Sequence, residues 1–413
     1  MIIKIKYRSS LGVVSAMVLL VFLLSHCINN TKIDKEAEGN DFENYVGSEK
    51  CANCHRNIYE KYLVTAHHLT SQRAEKEYIK GNFEKDSNSF RYTPYLSVAM
   101  EKRDSNYYQV IYFRNEEKMA IRFDLSIGSG VMGQSYLNRR QDRLYQMPVT
   151  YFAAAAQWSN SPGFPNDKVL TDRPVTARCL ECHTTFAKGE KGTAMEPLSF
   201  PADKIILGVG CEKCHGPASM HVDYQTKHPG DTIARYIVNP SSISRQQQLD
   251  VCAVCHGGKI KKTKPSFSFT AGKNLSDYFI LNDISETAMS SGEVEVHGNQ
   301  YGLLQASKCF KQSNMTCNTC HNSHQNERGN SVLFCSRCIT CHDVNRDNFK
   351  TNAHVGAVDI TKNCIDCHMP QQPSKSIAVQ LQGESRPVAS LIRSHYIGIY
   401  PDEIKKYLHK TSK

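Results

Sequence analysis

Seven copies of one five-residue pattern constrain this chain more than any other feature. The pattern is C-x-x-C-H: CANCH at 51–55, CLECH at 179–183, CEKCH at 211–215, CAVCH at 252–256, CNTCH at 317–321, CITCH at 338–342 and CIDCH at 364–368. With 17 cysteines and 17 histidines in 413 residues, random placement yields about 0.03 copies. Three chemistries use a C-x-x-C pair. Thioredoxin-like redox sites need one pair on a βαβ scaffold, and seven do not fit. Zinc sites combine two such pairs, or one pair with histidines, and do not demand a histidine after every second cysteine. Covalent haem does demand it, because two thioethers fix the porphyrin edge while the adjacent imidazole reaches the iron. The pattern predicts seven covalently attached haem c groups. Their thioethers come from Cys51, Cys54, Cys179, Cys182, Cys211, Cys214, Cys252, Cys255, Cys317, Cys320, Cys338, Cys341, Cys364 and Cys367. The proximal iron ligands are His55, His183, His215, His256, His321, His342 and His368.

The N-terminus agrees with that chemistry. Lys4, Lys6 and Arg8 precede an apolar run from Leu11 to Leu24, the layout of a secretory signal with a basic start. The run is short for a membrane span, which needs about 20 residues. Leu24-Ser25-His26-Cys27 resembles a bacterial lipobox, with Cys27 as the lipidated first residue of the mature chain, although His26 departs from the usual small residue. Residues 1–26 are read as a lipoprotein-type signal peptide, and an uncleaved anchor is the alternative. Either way the expected location is extracytoplasmic, tethered to a membrane and periplasm-facing, in a compartment where disulfides persist.

The charge fits the same chemistry. The formal net charge is +10, and the three cations of the signal leave with it. Seven haems bring two propionates each against one positive charge per ferric core, so the oxidised holoprotein sits near neutrality. The surplus Lys and Arg then compensate propionates, and a nucleic-acid partner is excluded.

Polar residues 27–45 read as a flexible tether. After the first motif, 123 residues pass without another. In that gap YLSVAMEKRDSNYYQVIYFRNEEKMAIRFDLSIG alternates apolar and polar residues, with turn signals at Asp104-Ser105-Asn106 and Asn115-Glu116. This predicts a three-stranded antiparallel meander. From 179 onward motifs follow at intervals of 32, 41, 65, 21 and 26 residues. Such spacing predicts one or two short helices per segment, with porphyrins filling the interior in place of a separate apolar core. The expected fold is mainly α with extensive loops: a haem-packed multihaem cytochrome c domain over 46–413. It carries a small antiparallel β insert at 93–165, which also suits partner docking, and a closely spaced hexahaem part at 166–413.

Several segments resemble a known family. The stretch Cys51 to His67, with Tyr59-x-x-Tyr62 and Thr65-x-His67, resembles the opening of the cytochrome c-554 type multihaem cytochromes. CHNSH at 320–324 and CHMP at 367–370 resemble motifs shared with hydroxylamine oxidoreductase, octahaem tetrathionate reductase and pentahaem nitrite reductase. CEKCHGPASMH and CAVCHGG resemble the family's middle motifs. The resemblance implies a haem-packed, mainly helical domain with stacked haem pairs and distal histidines drawn from elsewhere in the chain. It does not imply one activity, because the group holds both carriers and reductases.

The remaining histidines bear on that choice. His409, in KKYLHKTSK, reads as solvated. Adjacent helical residues point about 100° apart, so one of His67 and His68 reaches an iron, and the family pattern favours His67. Seven candidates are left for seven sixth positions: His67, His221, His228, His297, His324, His354 and His395. His221 follows His215 too closely to reach the opposite face of the same porphyrin, so it is assigned to a neighbouring haem. His297 and His395 lie in family-like stretches, and His228 in QTKHPGD reads equally well as an exposed turn. Met100, Met132, Met220 and Met315 are possible substitutes, but methionine in such an interior is ordinarily filler.

If every iron has two histidines, the chain is an electron carrier of low potential in an extracytoplasmic respiratory chain. Its partners are then other redox proteins: quinol-linked or multihaem cytochromes, or reductases. If one iron is open, a reductase acting on a small nitrogen or sulfur oxyanion such as nitrite, hydroxylamine or tetrathionate is the alternative. No C-x-x-C-K variant occurs, and Arg139, Arg140 and Arg143 in LNRRQDRLY suit an anion or a haem propionate. Cys309 and Cys335 fall outside the pattern, and both a disulfide and buried free thiols are open for them.

Overall fold

The structure, a computed structural model, describes residues 41–190, 196–281, 294–342, 363–403 and 405–406. The calls on residues 1–26, Cys27, His354 and His409 lie outside the described residues.

The expectation of a mainly α fold with a small β insert is overturned. About 30% of the described residues are helical and about 26% are in strands. The strands begin at Ser71, well before the expected insert. One sheet is a four-stranded meander of β2 (Ser89–Thr93), β3 (Leu96–Arg103), β4 (Asn106–Phe113) and β5 (Glu116–Arg122). A second, seven-stranded assembly joins β1 (Ser71–Arg73), β6 (Leu125–Ile127), β7 (Gly133–Arg140), β8 (Arg143–Gln146) and β11 (Arg173–Pro174). The pair β9 (Val149–Phe152) and β10 (Gln157–Asn160) leans on β7. All pairings between named strands are antiparallel.

The strands β3, β4 and β5 stand where the alternation put three of them, and β2 adds a fourth. Asp104 and Ser105 form the first two-residue turn, between the paired residues Arg103 and Asn106. The second turn is Arg114-Asn115, one residue earlier than the signal suggested. Both residues have positive φ, 52° and 64°, as a type I′ hairpin requires.

The meander and β7–β10 sandwich a core of Phe90, Val98, Met100, Ile121, Tyr136, Val149 and the chain's only tryptophan, Trp158. Tyr136 stacks on Phe123 at 4.4 Å. Met100 is fully buried there among sheet residues and is therefore filler. This half has no C-x-x-C-H motif between 56 and 178, so it buries its apolar surface the ordinary way, sheet on sheet.

The motif-bearing half also has apolar cores, contrary to the expectation that porphyrins replace them. Leu137 and Leu144 meet Leu180, Phe186, Phe200 and Phe267. Further on, Leu249, Ala253, Val254, Leu275, Phe279, Tyr301, Leu304 and Phe310 form another cluster, with Met315, Cys255 and Cys317 against it. Small hairpins lie between and after the motifs: β12 (Thr184–Ala187) with β13 (Ile205–Leu207), β14 (Lys261–Lys262) with β15 (Phe279–Ile280), and β16 (Gln371–Val379) with β17 (Val388–Arg393). Phe42 and Tyr45, in the segment read as tether, instead pack on Phe186 at 6.1 and 4.6 Å. Lys188 and Lys204 pair with Asp41 and Glu43 beside them. Residues 41–45 thus belong to the packed body.

Candidate haem-binding sites

Six of the seven motifs sit on short α-helices or at their ends: Ser48–Tyr62, Ala177–His183, Cys211–His215, Arg245–His256, Ser331–Ile339 and Ile365–His368. The seventh starts on the 3-10 turn Cys317–Thr319. The spacing explains the preference: on a helical turn residues i, i+3 and i+4 share one face, so both thiols and the imidazole point the same way. The Arg245–His256 helix is held at its start by a capping box between Ser244 and Gln247.

Tertiary structure brings motifs together in pairs. The thiol of Cys51 lies beside that of Cys211, Cys182 beside Cys255, Cys252 beside Cys317, and Cys338 beside Cys364. Hydrogen bonds to the backbone run along the first two of these seams, and another joins the fifth and sixth motifs. Ser48 Oγ accepts from Cys211 N–H at 3.2 Å, Arg178 donates to the Val254 carbonyl at 2.8 Å, and Arg337 donates to the Cys320 carbonyl at 2.6 Å.

Three motif histidines face a histidine from another segment. The ring of His256 lies 6.4 Å from that of His67, His215 lies 6.0 Å from His324, and His321 lies 6.1 Å from His395. Two imidazoles binding one metal from opposite sides, each through a bond of about 2.0 Å, place their centroids about 6 Å apart. His297 neighbours His183 and His256. His55 and His221 both neighbour His215.

The outer nitrogens are tied back. Nδ1 of His183 pairs with the Thr70 hydroxyl at 3.1 Å, His215 with the Val238 carbonyl at 2.9 Å, His256 with Gln300 Oε1 at 3.0 Å and His368 with the Gly398 carbonyl at 2.8 Å. An Nδ1–H given to an oxygen leaves Nε2 with its lone pair free for a metal. Burial lowers the pKa of His183, His215, His256 and His321, which favours the uncharged ring. With neighbouring imidazoles adding to burial, His67 and His395 fall to about 4. The thiols, the paired rings and the protected tautomers fit haem c. Among the described residues no three His, Cys, Asp or Glu side chains converge as a metal-holding group, whereas a structural zinc site needs four ligands.

The other predicted residues divide. His68 turns away from the paired rings and packs edge-on against Tyr62 at 5.1 Å. His221 gives its Nδ1 to the Arg235 carbonyl at 2.8 Å. His228 is exposed and stacks on Tyr224 at 4.4 Å. Met220 is exposed, and Met315 packs in the apolar cluster beside Cys317. Arg139 and Arg140 donate to the Phe200 and Thr171 carbonyls, and Arg143 pairs with Glu196 at 2.8 Å. Cys309 and Cys335 are both free thiols, so no bridge joins them. Cys335 is fully buried and its sulfur accepts the Cys364 N–H at 2.7 Å.

Two carboxylates inside motifs escaped the sequence reading. Glu181 accepts the Phe267 N–H at 2.7 Å and pairs with Arg178 at 2.8 Å. Glu212 accepts from Val46, Gly47 and Ala218 at 2.9, 2.9 and 3.0 Å. Burial raises its pKa while the three amides oppose that rise. Both occupy the x positions, which turn away from the cysteine face, and that placement was the available signal.

Glu327 and Arg337 form a further anchor, with contacts of 2.5 and 2.7 Å. Arg337 holds the Glu327 carboxyl down to about 2. A carboxylate depressed in the folded state stabilises fully above its unfolded pKa of about 4.3 and loses that contribution as pH falls toward the folded value. Acid titration of Glu327→Gln should therefore show a flatter stability loss between about pH 4 and 2 than the parent. At neutral pH the variant should be weaker by about 2 kcal/mol in denaturant melts.

No curated protein matches the chain. Residues 153–216, which hold the second and third motifs, match the family described as cytochrome c554 and c-prime. In fold the chain is similar to the crystal structure of the outer cell wall cytochrome OcwA, with TM-score 0.50 and 15% identity over 88% of this chain and 81% of that one. Both comparisons lead to proteins described as cytochromes.

Proposed function

We propose that this protein is a heptahaem c-type cytochrome that passes electrons among closely spaced, mainly bis-histidine haems outside the cytoplasm. The observation that carries the reading is the set of imidazole pairs at 6.0, 6.1 and 6.4 Å, each joining a motif histidine to one from a distant segment. On this reading His67 serves the haem of the fourth motif, His324 that of the third and His395 that of the fifth. His297 serves the second motif, beside His183. His221 serves the haem of a neighbouring motif, for which His55 is the nearby proximal residue.

Bound haem supplies a one-electron couple at each site. The chain's own residues orient the imidazoles, hold their Nδ1 protons and exclude water with the cores beside them. An extracytoplasmic setting is supported by the likeness to an outer cell wall cytochrome. Tethering through Cys27 and redox-protein partners belong to the same proposal.

A reductase reading is kept because of His228. Its exposed ring stacks on Tyr224 with Nδ1 on the Tyr224 carbonyl at 3.0 Å, which favours a surface role and leaves the histidine count short of a full set. One open iron then takes nitrite, hydroxylamine or a sulfur oxyanion. Intact mass and magnetic spectroscopy test both. Seven covalent haem increments with mainly low-spin signals are the expected result. Fewer increments would sink the heptahaem reading, and a high-spin signal that shifts with nitrite or hydroxylamine would replace the carrier with the reductase.

A further inference from the structure

We infer that Gln300 sets the reduction potential of the fourth motif's haem by fixing the proton on His256. The inference rests on the heptahaem reading and adds to it a positioning residue. Among the motif histidines with a hydrogen bond at Nδ1 described above, two give it to backbone carbonyls, of Val238 and Gly398. A backbone acceptor is the same whatever the side chain. His183 uses the Thr70 hydroxyl, which can donate or accept. His256 instead faces a side-chain amide oxygen, Gln300 Oε1, at 3.0 Å. A carbonyl oxygen only accepts, so it holds the proton on Nδ1 and leaves Nε2 for iron.

The chain is built to bring Gln300 there. It opens the Gln300–Ala306 helix, whose Tyr301 and Leu304 pack in one cluster with Leu249, Ala253 and Val254 of the fourth motif's helix. The loop just before it lies hard against Gly258, the second of the two glycines that follow His256. Gly258 N–H donates to the Gly298 carbonyl at 2.7 Å. Gly258 has φ +78°, and a Cβ there would stand 2.6 Å from Asn299 Oδ1. Glycine thus stands at 258 because the backbone carrying Gln300 comes so close.

The position matters because His256 is the most shared ring of the array. His67 faces it at 6.4 Å, and His183, His297, His321 and His395 lie around it. Its flanking cysteines reach two different motifs, Cys255 toward Cys182 and Cys252 toward Cys317. A stronger acceptor on Nδ1 makes an axial imidazole more electron-rich and favours the ferric state, and loss of the acceptor does the reverse.

The test is a potentiometric titration of the purified holoprotein, followed optically and by magnetic resonance, for Gln300→Glu and Gln300→Leu. In Gln300→Glu one haem's share of the amplitude should move to lower potential by about 59 mV, a tenfold change in that equilibrium. In Gln300→Leu the same share should move the other way, with the remaining haems in place. If the carboxylate variant does not accumulate, the leucine variant decides alone. Superimposable curves, or a shift spread over all haems, would overturn the inference. Intact mass separates the two levels: fewer than seven haem increments in the parent defeats the heptahaem reading, whereas seven increments with unchanged titrations defeats only the role of Gln300.

Discussion

Replacing His67 with alanine should turn one low-spin haem high-spin while the others keep their spectra. His67 lies in the loop after the first motif's helix, yet its ring faces His256, far along the chain, at 6.4 Å. Nothing else described stands in its place: the adjacent His68 is turned onto Tyr62, with Gln72 donating to its backbone carbonyl at 2.6 Å. The side chain lost is small, and the backbone around it is pinned, since Val209 N–H donates to the His67 carbonyl at 2.9 Å. The fold should therefore survive. The readout is magnetic resonance of the oxidised protein, with added imidazole restoring the low-spin signal by filling the vacated side. An unchanged spectrum would remove His67 from the ligand set. The appearance of several high-spin haems would mean that the substitution disturbs packing generally.

The largest effect on stability is expected from Glu212→Ala. The Glu212 side chain is buried and accepts three amide N–H groups, two from Val46 and Gly47 and one from Ala218. It ties the chain entering the first motif's helix to the third motif. Truncation would leave three partly or fully buried donors without an acceptor, and each costs about 1–3 kcal/mol. A loss on the order of 3–6 kcal/mol, a large fraction of the stability of an ordinary domain, should appear in denaturant melts of holoprotein. Glu212→Gln keeps one acceptor oxygen and should recover part of it. If alanine costs less than about 1 kcal/mol, water has replaced the carboxylate and the anchor is not structural.

The local geometry of the motifs was legible in the sequence because it depends on spacing alone. Cys at i and i+3 with His at i+4 share a face on any helical turn, and six of the seven motifs indeed lie on or at the ends of α-helices. The meander was legible for a similar reason: period-two alternation from Leu96 to Arg122 survives the choice of partner sheet. The fold class was not. Short motif spacing suggested helices with porphyrin between them. Yet residues such as Ile205–Leu207 and Gln371–Val379 pair as hairpins, because a strand is decided by the neighbour that completes its hydrogen bonds.

What the sequence by itself determined is therefore the set of seven C-x-x-C-H motifs, from Cys51 to His368, since each motif is local. Only the tertiary structure decided which histidine faces which: His67 with His256, His324 with His215 and His395 with His321. It also decided that Gln300, Thr70 and two backbone carbonyls hold the outer ring nitrogens. These partners come from remote segments, so no spacing rule reaches them. Their meeting depends on how the apolar clusters around Leu180, Leu249 and Trp158 close.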